Sequence, residues 1–349
     1  MAGDAAGSQA RPAVTEAEEI SEIAFGFMAS KALFAALHAD LFSQLADGPL
    51  DAAAVAERTG LRVHATTTLL TALTTIGLLE YDGERWRNAP GAATFLVRGA
   101  PYDFGDYLRH QIDRQMYPLM GQLDAALLGV RDDAMIDSYA KWMADAEAAQ
   151  LYSSSQHAGS LGPARTLLRR VDLAPVRHLL DVGGGTGAFS ITAALTHPEL
   201  EATVVDFPNV VALGRQYAEA AGVADRVRFV AGDALDAEWP QGVDALLFSY
   251  LFSSVPGDAI PGLVERAGAA LVPGGRLLVH DFMVDDDRAG PRLAALWQLQ
   301  HTAFNPEARS VTPAFVRARM DEAGFEDVRV ETLIPGMTRL VHAVRSQRA

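Results

Sequence analysis

The chain has no cysteine among its 349 residues, which removes disulfides, thiolate metal sites and cysteine nucleophiles together. Positive charge is also scarce. Twenty-nine lysines and arginines face 44 aspartates and glutamates, a formal net charge of −15 at pH 7. A surface of that sign repels a phosphate backbone, so nucleic acid is not the expected partner. No apolar run is found that reaches the ~18 residues from which a membrane span is read, and no membrane partner is expected. Residues 1–15 lack the basic start and apolar core of a signal peptide; they read as a disordered tail, with the cytoplasm as the expected location. A hydrophobic content of 49% with 21% charged residues is that of an ordinary globular protein, and the length suits two domains.

What is present is a glycine-dense turn. Leu179-Leu180-Asp181-Val182 runs into Gly183-Gly184-Gly185-Thr186-Gly187, and Ala188 to Leu195 then has the pattern of a helix. This is a strand–loop–helix turn, where a nucleotide-like ligand can approach bare backbone. Gly183, Gly185 and Gly187 let the chain turn tightly, and the helix start presents unpaired N–H groups. A second strand, Ala202 to Val205, closes on Asp206, where a carboxylate can accept both hydroxyls of a ribose. Val227 to Ala231 leads into Gly232-Asp233-Ala234, Ala245 to Ser249 forms a fourth strand, and Gly275 to Asp281 a fifth. This α/β alternation predicts a Rossmann-like sheet.

The N-terminal third carries a different pattern. Apolar residues from Ile20 to Leu45 follow helical spacing. A short helix over 50–60, a threonine-rich helix from Val63 to Ile76 and a hairpin around Asp82-Gly83-Glu84 together resemble a winged helix. The threonine-rich helix has no Lys or Arg after Arg62, so its expected partner is protein. Two long helices are predicted over Phe104–Leu128 and Ile136–Leu151, and another over Ala164–Val171. The boundary between a helical domain (16–160) and a catalytic domain (161–349) is placed near Gly159-Ser160-Leu161-Gly162-Pro163. Helices at Pro291–Thr302 and Thr312–Ala323, then strands at Val328–Leu333 and Thr338–Val344, complete the chain.

The strand and motif series resembles that of class I S-adenosylmethionine-dependent methyltransferases. With the helical and winged-helix-like domain ahead of it, the chain is similar to the small-molecule O-methyltransferases, which include plant phenolic and acetylserotonin enzymes. The resemblance implies S-adenosyl-L-methionine as cofactor, held by Asp181, Gly183, Gly185, Asp206, Phe207, Gly232, Asp233, Ala234, Phe248 and Ser249. In it, Asp206 takes the ribose, Asp233 and Ala234 flank the adenine, and Phe248 and Ser249 line the pocket. It also implies a homodimer with intertwined N-terminal helices and a small-molecule substrate.

One departure is large. O-methylating members follow the fourth strand with a Leu-His-Asp-Trp-type turn whose histidine takes the acceptor's proton. Here the run is Phe252-Ser253-Ser254-Val255, and a serine hydroxyl is far too weak a base at neutral pH. Asp281 keeps an acid at the end of the fifth strand. A thioether sulfur carries no proton and needs only positioning. The expected reaction is therefore S-methylation of a carboxylated thioether such as 4-methylthio-2-hydroxybutyrate, as in the branch that makes dimethylsulfoniopropionate. The alternatives are O-methylation with His157 or His301 as a relocated base, or a non-methylating reaction that retains the cofactor. Arg109 and Arg114 share roughly one helix face and could grip a carboxylate. Met116, Tyr152, Gln156, Phe252 and Gln298 complete the expected substrate contacts. No histidine spacing suggests a metal site, and His280, preceding Asp281 in the strand, is expected to point to the opposite face.

Overall fold

Asp40, with φ at 55°, interrupts the apolar N-terminal pattern, so the expected continuous helix becomes Ala17–His38 and Leu41–Gln44. The computed structural model describes residues 13–130, 139–305 and 307–347, in two compact units divided between Tyr117 and Pro118. In the N-terminal unit, Asp51 caps the helix Ala52–Thr59 by accepting from the Ala54 N–H, and left-handed Gly60 ends it. Along the next helix, Val63–Thr75, the hydroxyls of Thr66, Thr67, Thr68, Thr71 and Thr74 each donate to the carbonyl four residues back. The hairpin β1 (Leu79–Tyr81) and β2 (Trp86–Asn88) follows, and Leu37, Leu41, Phe42, Leu70, Leu73 and Trp86 pack in one core.

The helix Ala17–His38 corrects the expectation that no segment could span a membrane: it is long and apolar enough by length and composition. Its six alanines and scattered polar residues hide that property from a search for aliphatic runs. Ile20, Ile23, Phe25, Phe27 and Met28 are at least half exposed along it.

The expected helix over Phe104–Leu128 breaks into π-helical turns at Tyr107–Met116, then Tyr117–Met120 and Leu123–Leu127. Pro118 has no N–H to continue the regular ladder. Residues 136–138 of the next expected helix lie outside the described residues; beyond them are Tyr139–Ala144 and Ala146–Arg170, the latter capped by Asp145. That helix runs unbroken through the expected domain boundary near 160. Pro163 forgoes one backbone bond, but Ala164 and Leu167 beyond it are buried, and burying a leucine contributes about 1.5–3 kcal/mol.

The second unit holds a seven-stranded sheet made of β3 (His178–Val182), β4 (Glu201–Asp206), β5 (Val227–Ala231), β6 (Val243–Ser249), β7 (Leu271–Asp281), β8 (Phe325–Ile334) and β9 (Thr338–Arg345). The order is β5-β4-β3-β6-β7-β9-β8, parallel from β5 to β7, with β9 antiparallel to both neighbours. Successive residues feed opposite cores: Leu180 and Leu246 pack on one face, Leu179 and Leu247 on the other. The order reverses direction at β3 and β6, so their carboxyl ends open a crevice there.

Candidate active site

The loop after β3 is glycine because the chain passes directly over a carboxylate. A Cβ at Gly184 would stand 2.5 Å from the Asp181 carboxyl carbon, and one at Gly183, where φ is 67°, 2.8 Å from Leu251. Asp181 itself is fully buried. Its Oδ2 accepts from Ser190 Oγ at 2.8 Å, and burial pushes its carboxyl up to about 7. It does not line the cleft, contrary to expectation; it supports the loop from beneath.

Asp206 does face the cleft. Its Oδ2 accepts from the Gly185 N–H at 2.7 Å and its Oδ1 from the Phe207 N–H at 2.8 Å. Burial pushes this carboxyl up to about 6, the two N–H groups oppose that rise, and the Asp233 carboxylate adds to it. The cleft spans about 980 Å³ of space, open solvent at its mouth included, and Gly183, Gly185, Phe207, Gly232, Asp233, Ala234 and Ser249 line it. The turn carrying Asp233 and Ala234 is held by one side chain. Arg266 donates from Nη1 to the Ala234 and Leu235 carbonyls and from Nη2 to Ala237, with its guanidinium 3.9 Å above the Trp239 ring. Phe248 and Phe252 are corrections. Both are fully buried, 5.2 Å apart in the core; strand alternation gives the cleft to Ser249 instead of Phe248, and Phe252 lies in the turn beyond the strand.

At the end of β6, Tyr250 turns with φ at 59° and lines the cleft. Ser253, where the resemblance led to the expectation of a histidine base, is buried; its Oγ donates to Asp281 Oδ1 at 2.6 Å and its N–H to Oδ2 at 3.0 Å. Burial pushes Asp281 up to about 6 against those donors. His280 points to the sheet face opposite Asp281 and does not itself line the cleft; its Nδ1 meets Ser249 Oγ at 3.0 Å.

The helix Ala146–Arg170 presents Tyr152, Ser153, Gln156, His157 and Ser160 to the cleft, at helical spacing. Gln156 Nε2 donates to the Tyr152 hydroxyl at 3.0 Å, which lies 3.2 Å from the Tyr139 hydroxyl. Trp142 packs on Tyr152 at 4.8 Å, and Asn209 Nδ2 donates to the Met143 carbonyl at 2.9 Å. His157 Nδ1 lies 2.8 Å from Thr186 Oγ1 in the glycine loop, with its ring stacked on Tyr217 at 3.8 Å. Burial lowers His157 to about 4 and His301 to about 3, which makes both weak proton acceptors.

Other expected contacts fall elsewhere. His301 is buried beside Tyr139, at 6.4 Å between rings, and does not line the cleft. Gln298 donates to the Phe282 and Val311 carbonyls and accepts from Ser310, so its amide bonds its own domain. In the N-terminal unit Arg109 is buried, donating to Asp106 and to the Leu37 carbonyl; Met116 is buried and Arg114 exposed. With Arg109 so engaged, Arg114 is the member of the expected pair that stays exposed. The sequence reading missed Tyr139, Thr186 and Tyr250. Thr186 and Tyr250 directly follow residues it did choose, Gly185 and Ser249, and adjacency was the available signal.

A parallel sheet with its order reversed at a glycine loop, an acid closing the second strand and an aromatic wall defines a nucleoside-binding enzyme of the class I methyltransferase kind. Residues 133–326 match the O-methyltransferase domain and residues 21–98 the O-methyltransferase dimerisation domain. The chain belongs to this family of S-adenosylmethionine-dependent methyltransferases, which act on small molecules. It is 34% identical to a 3-hydroxy-5-methyl-1-naphthoate 3-O-methyltransferase of Streptomyces sahachiroi, over 94% of this chain and 95% of that one. It is 32% identical to the N,N-dimethyltransferase OxyT of Streptomyces rimosus, over 92% and 94%. The crystal structure of human N-acetylserotonin methyltransferase in complex with S-adenosylmethionine superposes with a TM-score of 0.82 at 25% identity, covering 96% of this chain and 99% of that one.

Proposed function

We propose that this enzyme O-methylates an acidic hydroxyl on a small aromatic natural product, as a homodimer assembled through residues 21–98. The observation that carries the reading is Ser253: its hydroxyl is committed to Asp281, so no base stands at the end of β6. S-adenosylmethionine, when bound, supplies a methyl group on a sulfonium sulfur. The residues lining the cleft fit it: Asp206 retains lone pairs that could accept ribose hydroxyls, and Gly232, Asp233 and Ala234 would form the adenine wall. His157 holds Thr186, and with it the glycine loop. A neutral imidazole suits a site that must admit a cation, and burial keeps His157 neutral. Tyr139, Met143 and Tyr152 give the cleft an apolar, aromatic wall that excludes water and offers stacking surface to a planar acceptor.

Without a strong base, the acceptor has to ionise by its own acidity. Naphthol-type and acylated phenols do so far more readily than aliphatic alcohols. Neither relative described above acts by name on a thioether, and Arg109, engaged within its own unit, is no longer a reason to favour a carboxylated one. An amine, whose lone pair is free near its pKa, is the second reading, favoured by the same missing base and by the likeness to OxyT. The test is a panel of phenols of graded acidity, aromatic amines and thioethers, followed by S-adenosylhomocysteine release and product mass. Turnover that rises with phenol acidity at pH 7 supports the proposal. Turnover confined to amines or thioethers, or S-adenosylhomocysteine-free conversion, overturns it.

A further inference from the structure

Ser249, His280 and Thr338 run in a line from the cleft into the sheet, across β6, β7 and β9. Ser249 Oγ lies 3.0 Å from His280 Nδ1, and His280 Nε2 lies 2.9 Å from Thr338 Oγ1. Thr338 Oγ1 also accepts the Ile334 N–H at 3.2 Å. His280 and Thr338 are almost wholly buried, whereas Ser249 borders the cofactor cleft. A threonine hydroxyl has one proton to give and two lone pairs to offer. One lone pair of Thr338 is taken by Ile334. Among the described residues, the acceptor that its proton meets is His280 Nε2.

We propose that Thr338 and His280 are positioning residues that fix Ser249 as a hydrogen-bond donor toward the cofactor. Thr338 donates to Nε2, His280 carries its one proton on Nδ1 and donates it to Ser249 Oγ, and the Ser249 proton turns into the cleft onto an acceptor atom of S-adenosylmethionine. The opposite arrangement, with the proton on Nε2, would give Thr338 Oγ1 two donors and strand its own buried proton. It would also turn Ser249 inward as a donor to Nδ1, leaving only lone pairs for the ligand. Burial holds the ring neutral, so it has one proton to place. The Phe189 and Tyr250 rings, 5.6 and 4.5 Å away, hold the imidazole plane. The inference rests on cofactor occupancy of the cleft and is independent of the acceptor's chemistry.

The tautomer is directly measurable by long-range proton–nitrogen correlation in protein carrying nitrogen-15 histidine, with His280 assigned through contacts to Phe189 and Tyr250. The expected result is a neutral ring protonated at Nδ1, with and without S-adenosylhomocysteine. By calorimetry, Ser249→Ala should weaken S-adenosylhomocysteine binding about five- to tenfold and Thr338→Val about threefold, the size of one hydrogen bond and of its orientation. The double variant should be no weaker than Ser249→Ala alone, and Thr338→Ser should bind as the wild type does. A proton on Nε2, wild-type affinity in Ser249→Ala, or additive losses in the double variant would overturn the relay. Should Thr338→Val fail to fold, the wild-type tautomer and Ser249→Ala decide the question by themselves.

Discussion

Acidification should release the cofactor through one carboxylate. Burial pushes Asp206 up to about 6 from an ordinary value of 3.8, against the pull of the Gly185 and Phe207 N–H groups. Only the ionised group can accept from two backbone donors and two ribose hydroxyls at once; protonation turns one oxygen into a donor. S-adenosylhomocysteine affinity should stay level above about pH 7 and then fall by up to about tenfold per unit below about pH 6, until the lower pKa of the bound state is reached. The same shift acts on the fold with a definite sign. A raised carboxylate pKa means that folding disfavours the anion. The penalty is absent below about pH 4, where folded and unfolded chains both hold the proton, and complete above about pH 6. Its ceiling is about 3 kcal/mol, reduced by water in the cleft. Asp206→Asn should abolish the pH slope of binding. Asp206→Ala should weaken binding about tenfold if one charge-assisted bond matters and about a hundredfold if both do. Calorimetry between pH 5 and 8 checks this. A flat wild-type profile would remove Asp206 from the ribose site. A slope that survives in Asp206→Asn would pass the role to Asp181, raised to about 7 under the loop.

Gly184→Ala should force the glycine loop off Asp181, costing about 1–3 kcal/mol in a thermal melt and weakening S-adenosylhomocysteine binding; a neutral variant would show the loop to be pliable. Ser253→Ala removes a donor from buried Asp281 and should cost about 1–2 kcal/mol of stability while kcat changes less than about tenfold; a hundredfold loss in a folded variant would place Ser253 in the chemistry. His157→Ala should raise KM for S-adenosylmethionine by loosening Thr186, and high pH should not restore the rate; alkaline rescue would make His157 a base. Removing residues 1–95 should leave an aggregating or inactive remainder by light scattering, because the exposed apolar residues from Ile23 to Met28 belong to the dimerisation domain; a monomeric, fully active truncation would refute that assembly.

Most of the sheet was legible in the sequence because each parallel strand is a short apolar run closed by a polar residue or glycine, and the residues proposed to hold the cofactor stand at those closures. Side-chain direction was less legible. Period-two alternation sends Phe248 inward and Ser249 outward, and a strand buried on both faces lacks the regular apolar–polar alternation that would mark which face meets the ligand. The same ambiguity hid His280, which turned out to touch Ser249. Helix ends failed where long-range packing overrode local signals, as at Pro163. Substrate residues were the least legible: the roles of Gln298 and Arg109 depend on carbonyls 13 to 72 positions away in the chain, which spacing along a helix cannot reveal.

Arg266 makes the proposed adenine wall a prefabricated part. Its fork holds three consecutive-turn carbonyls and its flat face rests on Trp239, so the turn at Asp233 has its shape set by protein atoms alone. A ligand arriving there orders little that was loose, and association loses correspondingly little entropy. The shape also hangs on a single planar cation. Lysine could replace its charge but not its three-carbonyl fork or its stacking face, so this end of the cleft tolerates sequence drift poorly while the acceptor end, built from separate aromatic side chains, can be recut one residue at a time.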